Sequence, residues 1–345
     1  MMGAGKHGIG SAAACLALCT LLLAACSPSV ADAPIPEQWR NIDIEARPVN
    51  FGQPRVGQLL FRGGLELRSH DAGFGGVSGL DVLDDGRLIA ISDAGAWFEA
   101  RLRLDAAGNL VGLTDARAAL MRDERGEPFA NKEAGDSEDV AQLPDGRFAV
   151  SFEQTQTIRI YDLNRDGPFG AATAGPPLAG VERLPRNVGL EAMAATADGA
   201  LLVGAEGGDA STTPLWLAPL SAQAPTPARA RYPLARGFSL TSLDRLPDGG
   251  YVALERFYAP IVGARARITR FSESALAAGD GETVQTEELA RLGPPHPLDN
   301  FEGVSAVHMT NGATRLYIVS DDNFSPRQHT YLFAFDLVER GQASR

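Results

Sequence analysis

A hairpin that recurs five times constrains this chain more than any other feature. In each copy a short apolar run leads into a turn and a second apolar run returns. The first copy is 77–83 (VSGLDVL), the turn Asp84-Asp85-Gly86, then 87–93 (RLIAISD). The second is 138–143 (EDVAQL), Pro144-Asp145-Gly146, then 147–153 (RFAVSFE). The third is 191–196 (EAMAAT), Ala197-Asp198-Gly199, then 200–206 (ALLVGAE). The fourth is 241–246 (TSLDRL), Pro247-Asp248-Gly249, then 250–255 (GYVALE). The fifth is 302–307 (EGVSAV), a longer turn through Asn311-Gly312, then 315–321 (RLYIVSD). Asp-Gly or Asn-Gly between apolar runs marks a tight hairpin, because primed turns need the positive φ that Gly and Asn tolerate.

The turn glycines are 60, 53, 50 and 63 residues apart. A hairpin needs only about 20 residues, so each unit holds more strands. Strand-like segments follow at 98–104, 158–163, 214–220, 267–271 and 331–337, with weaker fourth candidates at 110–114, 228–234 and 284–292. Four short antiparallel strands per repeat predict the blade of an all-β propeller. Five blades are expected, or six if 105–135 hides another. The fifth unit ends after its third strand, and 58–67 is expected to supply the missing outer strand and close the ring. The alternatives are an open β-solenoid or a pair of sandwiches, but such repeats are too long for β-helix coils. Segments 165–180, 221–230 and 256–266 read as inserted loops.

The N-terminus reads as a signal peptide over 1–26. Lys6 and His7 precede an apolar run over 12–25, which is too short for a comfortable membrane span. The run ends in Leu23-Ala24-Ala25-Cys26, which resembles a lipobox, with Cys26 as the lipid acceptor. Ser27 follows, favouring the periplasmic side of the outer membrane. Residues 27–56 are expected to be a flexible tether and 57–340 the folded domain. The three cysteines are Cys15, Cys19 and Cys26, so disulfides and thiolate chemistry are excluded from the domain. The net charge of −12, with Lys6 and Lys132 the only lysines, argues against nucleic acid as a partner. A monomer is expected.

The chemistry lies in the hairpin ends. Glu138 and Glu153 are 15 residues apart, as are Glu191 and Glu206, and Ser78 and Asp93. Thr241 and Glu255 are 14 apart, and Glu302 and Asp321 are 19 apart across the longer turn. In an antiparallel hairpin these positions meet at one end, so the pairs are expected around one channel mouth. Two carboxylates about 4 Å apart repel by up to ~4 kcal/mol at an effective dielectric near ~20. Protonation, arginines or a hard cation must offset this. An all-oxygen donor set suits a divalent cation, Ca²⁺ before Mg²⁺. The plainer alternative is that the acids cap blade turns. Arg256 and Arg327 are candidates to hold a phosphate, or else simply pair with neighbouring acids.

Other motifs are weaker. Residues 162–167 (DLNRDG) open like a calcium loop, but Thr173 holds the position that needs Glu, and a turn is expected. Ser78 and Ser305 lack the final glycine of a nucleophile elbow. His70, His296, His308 and His329 show no ligand spacing.

Residues 75–81 (GGVSGLD), 189–192 (GLEA), 254–256 (LER), 300–303 (NFEG), 319–325 (VSDDNFS) and 332–337 (LFAFDL) together resemble the bacterial phytase-like family called "esterase-like activity of phytase". The resemblance covers roughly residues 58–337. It implies a propeller whose acidic positions are suspected of phosphomonoester or phosphodiester hydrolysis. By position those are Glu138, Glu153, Glu191, Glu206, Glu255, Glu302, Asp321 and Asp322, and Asp93 joins them as an expected metal ligand. Glu191, Glu302 and Glu138 are the candidates for catalysis. Two functions follow as expectations: a metal-dependent hydrolase of small phosphorylated or ester substrates, or a non-catalytic propeller that binds a ligand or partner.

Overall fold

Each recurring hairpin forms the two inner strands of a four-stranded antiparallel blade. The computed structural model describes residues 39–71, 73–185, 188–207, 210–277 and 281–338. The expected signal peptide and Cys26 lie outside these residues. Blade 1 runs outward through Val77–Val82, Arg87–Ser92, Ala96–Leu104 and Leu110–Leu120. Blade 2 uses Ser137–Gln142, Phe148–Phe152, Thr157–Tyr161 and the short Thr173–Ala174. Blade 3 uses Ala192–Ala195, Leu201–Gly204, Thr212–Ala218 and Ala228–Pro233. Blade 4 uses Ser239–Arg245, Tyr251–Ala259, Gly263–Phe271 and Glu287–Leu292. Blade 5 uses Asn300–His308, Thr314–Asp321, Thr330–Leu337 and, from the other end of the sequence, Leu59–Ser69. The last pairing, with Leu337 opposite Leu59 and Thr330 opposite Leu67, closes the ring as expected and leaves no open joint.

The structure is therefore a five-bladed propeller. Segment 105–135 hides no sixth blade: it holds the outer strand Leu110–Leu120 and the short helix Lys132–Gly135. The 162–167 segment is a turn, with the Arg165 N–H donating to the Asp162 carboxylate at 3.0 Å.

The tether expected over 27–56 needs correction. Arg40–Asn41 pairs with the outer edge of blade 1, and Ile44–Pro48 pairs with Leu59–Ser69. Phe51 is buried against Phe61, Phe335 and His296. The physical reason is edge protection: an outer strand left unpaired exposes its backbone groups, and these short segments cover two such edges.

The apolar core is divided among the blade interfaces. Phe301, Leu316 and Phe335 of blade 5 pack with Val252, Leu254 and Ile268 of blade 4. Ile89, Ile91 and Trp97 of blade 1 meet Val150 and Phe152 of blade 2. Strands buried on both faces explain why the hairpin runs are nearly continuous in apolar residues.

Polar staples tie the inner strands together. The Gln142 N–H donates to Asp81 at 2.6 Å, linking blades 1 and 2. Asp139 accepts from the Met193 N–H at 2.8 Å and from the Ser242 hydroxyl at 3.1 Å, linking blade 2 to blades 3 and 4. The Ala306 N–H donates to Asp244 at 2.6 Å, and the Val82 N–H to the Ser305 hydroxyl at 3.0 Å. These bonds join neighbouring inner strands around the channel.

Candidate functional site

The upper mouth is the end at which the second strand of each blade finishes. There the inner strands of four blades carry a bulge. One extra residue falls between Val77 and Gly79, between Ser137 and Val140, between Leu240 and Ser242, and between Phe301 and Gly303. Bulges re-aim side chains. The bulged stretches hold Ser78, Glu138, Thr241 and Glu302, the positions singled out from the repeat. The Ser78 hydroxyl donates to the Ser137 carbonyl at 2.7 Å, and that of Thr241 to the Phe301 carbonyl at 3.3 Å, so these two join neighbouring blades. Glu138 and Glu302 instead enter a shared electrostatic field with Glu191.

Burial raises the Glu138 and Glu191 carboxyls well above the usual range, and neighbouring carboxylates add to it: Glu191 and Glu302 for the first, Glu206 for the second. Glu153 is pushed up to about 7 by burial and by Asp136. Glu302 is pushed up to about 8 by burial, which prevails over the opposing pull of Arg256. Burial also raises Asp321, with Glu302 and Asp93 contributing, and it raises Asp93 against the pull of Lys132. Eight expected acids thus share one rim: Asp93, Glu138, Glu153, Glu191, Glu206, Glu302, Asp321 and Asp322.

Two cations enter this rim. Arg256 lies 3.2 Å from Glu206 and 3.3 Å from Glu302. Lys132 lies 2.9 Å from Asp93 and 2.8 Å from Asp136. Lys132 is delivered by the short helix Lys132–Gly135, whose cap Asn131 accepts from the Ala134 N–H at 2.9 Å. Asp322 ties the fifth blade to the first by accepting from the Gly76 N–H at 2.9 Å. Gly189 has to lack a side chain, because a Cβ there would collide with Glu153.

One subset has the geometry of a metal site. Asp136, Glu138 and Glu153 each offer a carboxylate oxygen, and these lie within 4.8 Å of one another. Oδ1 of Asp93 is a buried acceptor with no hydrogen-bond partner among the described residues. An oxygen-only set with an excess of negative charge fits a hard divalent cation. Asp136 was not singled out in the sequence. The available signal was its position two residues before Glu138, beside the only lysine of the domain.

Two expected site residues do not join the rim. Glu255 is fully buried and accepts from the Tyr232 hydroxyl at 2.6 Å and the Ala235 N–H at 3.1 Å, and it pairs with Arg267. It is a structural carboxylate inside blade 4, where its partners leave no oxygen for a ligand. Arg327 is exposed, and among the described residues no ion pair joins it to the rim.

At the lower mouth, the half-buried Asp81 and Asp244 form a second acidic pair. Burial raises Asp81 to about 6, and burial together with Asp81 raises Asp244 to about 8.

A family model described as phytase-like, "esterase-like activity of phytase", matches residues 72–324. No curated protein matches the sequence. Similar solved structures include the PQQ-bound aldose sugar dehydrogenase of Streptomyces coelicolor, at 14% identity over 88% of this chain and 99% of that one, with a TM-score of 0.40. A Dyadobacter fermentans protein of unknown function is similar at 14% identity over 88% of this chain and 97% of that one, with a TM-score of 0.42.

Proposed function

Because the chain belongs to the phytase-like family described as esterase-like activity of phytase, we propose that it is a divalent-cation-dependent hydrolase of small phosphoric esters, working at the upper mouth. The observation that carries the reading is the convergence of Asp136, Glu138 and Glu153 within 4.8 Å beside a rim that also presents Arg256. Asp136, Glu138 and Glu153 would hold the cation, with Asp93 contributing its free oxygen. A bound divalent ion would supply Lewis-acid polarisation of the ester and a more acidic water.

The chain's own groups do the rest. Arg256 offers a forked donor to phosphate oxygens once Glu206 and Glu302 share it with substrate. Glu191 and Glu302 flank that position, where a carboxylate takes a proton from the attacking water and returns one to the leaving alcohol. The staples around Asp139 hold the inner strands rigid, so these groups keep their spacing.

The lipobox-like run Leu23-Ala24-Ala25-Cys26 supports a placement in the cell: we read the chain as an envelope lipoprotein anchored through Cys26, facing the periplasm from the outer membrane. The test is an assay of the purified chain with generic phosphomonoesters and phosphodiesters, with Ca²⁺, with Mg²⁺ and with chelator. Turnover that needs the added ion supports the reading. Absence of turnover under every condition overturns it, and cation-dependent melting without turnover assigns the mouth to ligand binding instead.

A further inference from the structure

Blade 4 carries a projection that the hydrolase reading does not use. Its second and third strands, Tyr251–Ala259 and Gly263–Phe271, run past the point at which the fourth strand stops. Ala266 faces Leu292, the last residue of that outer strand, whereas Tyr258 pairs with Ala264 and Ala259 with Gly263 beyond it. The segment read as an inserted loop over 256–266 is thus a free-standing two-stranded hairpin. Ala259 is three residues beyond Arg256, so the hairpin rises roughly 10 Å above the rim at ~3.3 Å per residue.

The tip is apolar and uncovered. Tyr258 is 69%, Ile261 99% and Val262 50% exposed. Such side chains at the end of a projection are an unusual use of apolar surface in a chain of net charge −12. The base is built to stay upright: Phe257 packs on Phe238, and Arg265 donates to the carbonyls of Val262 and Ala264. Arg236 is exposed in the connection between Ala228–Pro233 and Ser239–Arg245, on the same upper side.

The N-terminal part of the chain reaches the domain on that side as well. Arg40 pairs with Ala118 on an outer strand whose last residue, Leu120, faces Ala96 just after the upper turn of blade 1. Strand Arg40–Asn41 is antiparallel to it, so Trp39 is at the upper end. Twelve residues separate Cys26 from Trp39, a reach of at most ~40 Å when extended. An anchor at Cys26 therefore lets the upper face, with the hairpin and the acidic mouth, reach the bilayer.

We propose that the hairpin tip at Tyr258, Ile261 and Val262 docks into a lipid surface, turning the acidic mouth toward the membrane. The apolar side chains enter the acyl boundary while Arg236 and Arg265 meet phosphate headgroups. The orientation rests on the Cys26 anchor reading, and the mass of the Cys26 peptide tests that reading separately.

The described residues contain no cysteine, so one can be introduced for labelling. An environment-sensitive fluorophore is placed on Ile261→Cys and, as reference, on Asp248→Cys in a lower-side turn, each prepared as the processed lipoprotein in which the signal with Cys15 and Cys19 is removed and the Cys26 thiol is blocked by lipid. Both are bound to vesicles of phosphatidylethanolamine and phosphatidylglycerol carrying a lipid-attached quencher. The expected result is a blue-shifted emission and several-fold stronger quenching at position 261 than at 248. Equal exposure to water at both positions overturns the proposal. So does burial of the 261 probe in the absence of vesicles at rising protein concentration, which would assign the tip to a second copy of the chain.

Discussion

Arg256 Nη1 lies 3.3 Å from Glu302 Oε1, and this ion pair sits within a rim where acids outnumber bases. Asn300 adds to it, donating to Glu302 at 2.7 Å while its own carbonyl oxygen accepts from Arg256. The guanidinium holds Glu302 and Glu206 together and is the group a phosphate would have to engage.

Removing that cation leaves two neighbouring carboxylates without their partner. Arg256→Met is expected to lose about 2 kcal/mol of stability in the absence of divalent ions, below the range for a fully buried pair because Arg256 keeps some solvent contact. Urea unfolding in chelator measures this. Phosphate-ester turnover, where present in the parent protein, should fall at least tenfold.

Relieving repulsion at the cation site should do the opposite. Glu153→Gln is expected to raise the melting temperature in chelator and to weaken the further rise on adding Ca²⁺, because the same charge that destabilises the free site holds the ion. Thermal melting of parent and variant, with chelator and with Ca²⁺, provides the check. An unchanged Ca²⁺ response would remove Glu153 from the ligand set.

Asp139 is a staple, and its loss should be structural. Its carboxyl accepts from the N–H groups of Val140 and Met193 and from the Ser242 hydroxyl. Asp139→Ala leaves these buried donors unpaired and should cost about 3 kcal/mol, measured by urea unfolding.

The lower mouth gives a pH dependence of known sign. Asp81 and Asp244 titrate higher in the folded chain than their ordinary value, at about 6 and about 8. The folded state thus binds more protons than the unfolded one between the two sets of values. The contribution is complete below the unfolded pKa and is lost as pH rises through 6 and then 8. The Asp244→Asn variant should show a smaller loss of melting temperature from pH 5 to pH 9 than the parent.

Glu255 should separate structure from function. Glu255→Ala strands Arg267 and the Tyr232 hydroxyl in the interior of blade 4 and is expected to destabilise by about 3 kcal/mol. The shift of melting temperature on adding Ca²⁺ should be unchanged, because the residue does not reach the rim.

Local pattern along the chain suffices for the repeat unit, the turn positions and the closing strand, but the turns are not of the primed kind, because only the glycine of each Asp-Gly or Asn-Gly pair takes a positive φ. Asp-Gly turns and runs such as 147–153 encode local backbone geometry and burial, and both are short-range properties. Hairpin spacing also brought seven of the rim acids to one mouth, since it sets the first residue of one strand beside the last of the next, whereas Asp322 was reached only through the family resemblance. What the tertiary structure decided is which oxygens face which space. Glu255 occupies a hairpin-end position equivalent to Glu206, yet it turns to Tyr232 and Arg267 while Glu206 meets Arg256. Asp136 lies just before an inner strand, where no repeat marks it, and reaches the site because a short helix and Lys132 fix it there. The edge strands over 40–48 carry too weak an alternation to read alone and exist because blade edges supply their partners. Side-chain direction at a bulge, and pairing between segments far apart in sequence, depend on packing that only the closed ring provides.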